Sequence, residues 1–146
     1  MKYKHILAAI DTTDDAREVL SAAQQLAKDH DAKLSLVTVI KSFTQVYSTV
    51  DTPNIAKLEE GTINEVRERL NEHARTLRLT DDHVFVLRGN PAEEIRDLAN
   101  KLGAGAIVIG THGRHGMGLM FLGSTASSVL HGTNCDVLAI RIAEAA

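Results

Sequence analysis

Five short aliphatic runs recur along the chain, and longer amphipathic segments separate them. The runs are HILAAI (5–10), KLSLVTVI (Lys33–Ile40), HVFVL (83–87), AIVIG (Ala106–Gly110) and DVLAIRI (136–142). Most are near-continuous in apolar residues and rich in β-branched side chains, the pattern of strands covered on both faces. The segments between them carry helical spacing. Residues 14–30 place Val19, Ala23, Leu26 and Ala27 on one face, and Thr12 with Asp15 has capping-box spacing just before it. Residues 55–77 line up Ile63, Val66, Leu70 and Ala74 against a solvated face of Glu65, Glu68 and Glu72, with Gly61 weakening the first turns. A third helix opens at Asn90-Pro91, with proline at its first position, and stops at Gly103. A fourth runs from about Ser124 to Gly132. Strand and helix thus alternate throughout. Right-handed crossovers then produce an α/β fold, an open five-stranded parallel sheet with helices on both faces. The longest irregular stretch, 41–53, reads as a loose connection, with a lid as the alternative. No linker or repeat divides the chain, so residues 1–146 are expected to form a single domain.

Several function classes are disfavoured. The net charge is −3, no basic block is present, and aromatics make up 3% with no tryptophan, so no nucleic-acid partner is expected. No apolar run approaches the roughly 18 residues of a membrane helix, and the opening MKYKHILAAIDTTDD lacks a signal-peptide core. Cys135 is the lone cysteine and reads as a packed small hydrophobe. A cytoplasmic location without membrane insertion is the expectation.

An open parallel sheet binds ligands beyond the carboxyl ends of its strands, where strand order reverses. One loop there is dense in glycine: GTHGRHGMGLMFLGST, residues 110–125. The dinucleotide fingerprint G-x-G-x-x-G fails on it, because Phe121 stands where the third glycine belongs. The P-loop pattern fails too, because Ser124 replaces its lysine. The pattern G-x2-G-x9-G-[ST] fits, as Gly110, Gly113, Gly123 and Ser124. Gly113 lets the main chain approach a sugar or phosphate. Gly123-Ser124 opens a helix whose N–H groups and dipole favour an anion, and Arg114 is the cation for a phosphate tail. The alternative is a flexible loop in which Ser124 is only an N-cap.

The stretches KHILAAID, GNPAEEI, GTHGRHGMGLMFLGSTASSVL and NCDVLAI resemble the universal stress protein (UspA) superfamily across nearly the whole chain. The glycine pattern resembles that of its ATP-binding subgroup. The resemblance implies a Rossmann-like sheet of the adenine nucleotide alpha hydrolase type, strand order 3-2-1-4-5. It implies ATP as ligand, with Mg²⁺ or Mn²⁺ bound through the phosphates. Carried over by position, Ala9, Ile10, Asp11 and Thr12 would border the nucleotide, with Asp11 near the ribose or a metal-bound phosphate. Val39 would contact adenine. Gly110, Thr111, Gly113 and Arg114 would hold ribose and phosphates, and Gly123, Ser124, Thr125 and Ala126 would cradle the phosphate tail. The last strand, 136–142, would pair across a two-fold axis in a homodimer. The chain departs from the family pattern at Ala8-Ala9-Ile10, at Thr12-Thr13 and at Cys135-Asp136.

No catalytic set emerges. Asp11 is the one carboxylate of the predicted site, so paired-acid chemistry lacks its second member. His112 and His115 lack a third metal ligand nearby in sequence. They resemble the HxGH of adenylyl transferases, but that motif follows a first strand. His5, His30, His73, His83 and His131 are scattered along the sequence with no evident role. The leading expectation is an ATP-binding regulatory module of the stress response. The alternatives are a slow ATP hydrolase or nucleotidyl transferase, and a nucleotide-free dimerisation module.

Overall fold

A computed structural model describes residues 2–11, 16–40, 52–111 and 124–142. Its elements follow the chain as β1 (His5–Ala9), α1 (Ala16–His30), β2 (Lys33–Ile40), α2 (Thr52–Thr76), β3 (Val84–Arg88), α3 (Pro91–Leu102), β4 (Ala106–Gly110), α4 (Ser124–Gly132) and β5 (Asp136–Ile140). One 3₁₀ turn, Asp81–His83, precedes β3. The strands form one parallel sheet in the order β3-β2-β1-β4-β5.

Alternation along each strand divides the core in two. Ile6, Ala8, Leu34, Leu36 and Val108 face α1 and α2, where Val19, Ala23, Leu70 and Ala74 close the layer. Leu7, Ala9, Val37, Ile107 and Ile109 face α3 and α4, where Ile95, Leu98, Ala126 and Val129 close it. Both faces being covered, the strand sequences carry no polar stripe. Each fully buried aliphatic side chain contributes about 1.5–3 kcal/mol.

Local chemistry sets several boundaries. The Asn90 carboxamide accepts from the Glu93 amide at 3.1 Å, capping α3, with Pro91 inside the first turn. Gly103 adopts the left-handed conformation (φ 66°) that ends α3, and the Ala104 amide returns to the Ala99 carbonyl.

Several boundaries differ from expectation; β1 ends at Ala9 rather than Ile10, and β3 runs on to Arg88. Helix α2 begins at Thr52 rather than near residue 55, with Pro53 in the first turn where a missing N–H is harmless, and it continues through Gly61. Strand β3 starts one residue late because His83 closes the 3₁₀ turn through its amide to the Thr80 carbonyl. Strand β5 ends at Ile140, level with Gly110 at the end of β4, and Ile142 instead turns into the core. Residues 41–51, expected to be irregular, lie outside the described residues. Among the described residues no helix is long and apolar enough to cross a membrane.

Candidate functional site

The strand order reverses between β1 and β4, which neighbour each other while their crossovers run to opposite sides. Beyond the carboxyl ends of these two strands lies the predicted site. Ala9 pairs with Ile109, so Asp11 and Thr111, each two residues further on, leave their strands at the same level. Both are half-buried. Val39, also half-buried, stands on the neighbouring end of β2 and packs on the same core face as Ala9 and Ile109. The first turn of α4 reaches that cluster as well, since Ala126 is buried within it; Thr125 beside it is half-buried. One face of the sheet thus gathers Ala9, Val39, Ile109 and the start of α4.

Ile10 and Gly110 are placed differently. Ile10 is buried in the opposite core layer, toward α1. A Cβ added to Gly110 would lie 2.5 Å from Ile142 Cδ1 and 3.4 Å from Val19 Cγ2, both members of that opposite layer. These two residues therefore face the packed side with their Cα substituents and offer a ligand only main chain.

Main-chain bonds hold the strand ends in place. The Ile10 amide donates to the Val37 carbonyl at 2.9 Å, Gly89 to Ile40 at 3.0 Å, and Thr111 to Ile140 at 2.9 Å. The Thr38 hydroxyl donates to the Ile10 carbonyl at 2.9 Å. Among the described residues Thr38 and Ser35 are the only buried polar side chains, both within KLSLVTVI. Sequence reasoning passed over them. Their hydroxyls in an otherwise aliphatic buried strand were the available signal, because buried polar groups require partners.

Thr12, Gly113, Arg114 and Gly123 lie outside the described residues, as do His112 and His115; of Ser124 only the backbone is described. The nine-residue return of the glycine motif falls there too. Among the described residues no cluster of three or more His, Cys, Asp or Glu is arranged for a metal ion.

At the opposite end of the sheet, the structure unites two of the scattered histidines. Ser35 Oγ lies 2.7 Å from His5 Nε2 and 3.2 Å from His83 Nδ1. A hydroxyl can donate to one ring nitrogen and accept from the other, so one side chain serves both rings. Burial is the main cause that pushes the His5 pKa down, His83 and Lys33 add to it, and the Leu102 carbonyl opposes it. Ser35 is fully buried, so this hydroxyl is closed to a substrate. His30 stacks on Tyr3 at 4.6 Å and accepts from its amide.

Residues 2–141 match the universal stress protein family. The chain is 37% identical over 145 residues to universal stress protein A homolog 1 of Coxiella burnetii, covering 99% of this chain and 100% of that protein. Among solved structures, universal stress protein UspA from Lactobacillus plantarum has a TM-score of 0.82 at 23% identity, covering 97% of this chain and 99% of that one. A universal stress protein solved in complex with cAMP has a TM-score of 0.65 at 22% identity, covering 97% and 98%.

Proposed function

Because this chain belongs to the universal stress protein family, we propose that it binds an adenine nucleotide at the β1/β4 switch point and acts as a nucleotide-dependent regulatory module. The observation that carries this reading is the convergence of Asp11, Val39, Thr111 and the first turn of α4 at one end of the sheet. Val39 supplies an apolar wall for the base. Asp11 accepts from a ribose hydroxyl or sits by a metal-bound phosphate. Thr111 and the amides of α4 at Thr125 and Ala126 receive the phosphates. Gly113, Arg114, Gly123 and Ser124 of the matching glycine motif complete the cradle in this reading, with Thr12 beside Asp11.

ATP is the first ligand of this reading, since the spacing G-x2-G-x9-G-[ST] resembles that of the family's ATP-binding subgroup. Mg²⁺ would be held chiefly by the nucleotide's own phosphates, with Asp11 as the nearest carboxylate of the site. A structural neighbour solved with cAMP favours a cyclic nucleotide as the second reading. The whole chain acts as one domain in the cytoplasm and dimerises through β5, and occupancy changes the surface offered to a partner. Hydrolysis is at most slow in this reading, since among the described residues of the site Asp11 is the one carboxylate.

Mass spectrometry of ligand released from the purified protein tests the reading. ATP, AMP or cAMP is expected. Titration with ATP and Mg²⁺ should raise the melting temperature, and Gly113→Val should remove the shift. A protein free of adenine, with no thermal shift for ATP or cAMP, would favour the nucleotide-free module. Phosphate release well above the intrinsic rate, lost in Asp11→Ala, would favour the enzyme.

A further inference from the structure

We infer that Thr38 is a positioning residue for the nucleotide site, aiming Asp11 from behind the sheet. The inference rests on the nucleotide reading and deepens it. The register between β1 and β2 ends at Ala9 and Val37. One residue further, both polar groups of Ile10 are held by β2: its amide by the Val37 carbonyl, its carbonyl by the Thr38 hydroxyl, each at 2.9 Å. That carbonyl belongs to the peptide unit that ends at the Asp11 nitrogen. A peptide is planar, so fixing its oxygen fixes the direction in which Asp11 leaves the sheet. A side chain thus replaces the ladder bond where the ladder stops.

Thr38 alternates with Leu34 and Leu36, which pack toward α1 and α2, and it is itself buried. Val39, next in the chain, packs on the other face. Two successive residues of β2 therefore serve one site. Val39 lines it, and Thr38 holds the neighbouring strand's end without contacting the ligand.

The test is calorimetric titration of the full chain with ATP and Mg²⁺, and separately with cAMP, across Thr38→Val, Thr38→Ser, Asp11→Ala and the Asp11→Ala/Thr38→Val double variant. Thr38→Val keeps the shape and removes the donor, and should weaken nucleotide affinity about tenfold. Thr38→Ser keeps the hydroxyl and should bind within about twofold of wild type. In the Asp11→Ala background the Thr38→Val change should have no further effect, since the group it aims is gone. If Thr38→Val does not fold, Thr38→Cys, a weaker donor, takes its place in both backgrounds. Unchanged affinity in the donor-lacking variant, or an equal loss with and without Asp11, overturns the inference while leaving the nucleotide reading intact. A wild-type chain that binds neither nucleotide overturns both.

Discussion

Ile142 packs against the bare α-carbon of Gly110, with its Cδ1 2.5 Å from where a Cβ would stand. A side chain at the end of β4 would therefore displace the tip of Ile142 on the α1 side, independently of any ligand. Ile142 reaches this point because β5 stops at Ile140 and the chain then folds inward. The first glycine of the G-x2-G-x9-G-[ST] pattern thus has a packing contact of its own.

Gly110→Ala should destabilise the protein by about 1 kcal/mol, the low end of the range for overpacking, because only the end of a flexible side chain must move. The nearest atom is the tip of Ile142, so shortening that side chain relieves the clash. Ile142→Val in the same chain should recover more than half of the loss, although alone it costs about 0.5–1.5 kcal/mol. Urea unfolding of the four combinations checks this. Additive losses would show that the contact is not what excludes a side chain at position 110.

The Asn90 cap predicts a smaller, local effect. Asn90→Ala removes the acceptor of the Glu93 amide and should cost about 1 kcal/mol. For a chain of this length that lowers the melting temperature by roughly 2–4 °C. Asn90→Asp should hold the wild-type value, since the carboxylate caps as well. Differential scanning calorimetry distinguishes the three proteins.

Acid should weaken the fold through His5. Imidazole titrates near 6.5 in an unfolded chain, and in the folded protein His5 lies lower because burial, His83 and Lys33 disfavour its charge. The unfolded state thus takes up the proton first. Stability is full above about pH 6.5 and is lost as pH falls through the lowered folded value. His5→Gln should flatten that acid limb in urea midpoints measured between pH 8 and 5. A wild-type midpoint that rose on acidification would contradict the sign.

The proposed dimer has its own test. Leu138 on β5 is 40% exposed and Ala139 beside it is exposed, on a strand whose outer edge has no neighbour among the described residues of this sheet. Leu138→Glu should shift sedimentation toward the monomer at micromolar concentration, because like charges meet across a two-fold axis. Sedimentation of wild type and variant at the same value would remove β5 from the interface.

Much of this molecule is legible along the chain. Aliphatic runs at 33–40 and 106–110 became strands with unchanged bounds, and Asn90-Pro91 and Gly103 delimit α3 as their chemistry demands. Such signals are local: a period, a cap, a left-handed turn, each contained within a few residues. Asp11, Val39 and Thr111 stand at or just beyond the carboxyl ends of β1, β2 and β4, as the strand pattern implies.

Other decisions needed the folded chain. Thr38 meets Ile10 across 28 positions, Ser35 meets His83 across 48, and Ile142 fills the space beside Gly110 from the far end of another strand. No periodicity carries these pairs. They exist only once β2 lies between β1 and β3, and β4 between β1 and β5, in one register. The chain's own pattern determined which segments are strands and which strand ends form the switch point. Tertiary packing decided which hydroxyl holds Ile10, which histidines share a proton-bearing group and which side chain lies over position 110, because hydrogen bonds and steric limits act across space at a few ångströms, whatever the distance along the sequence.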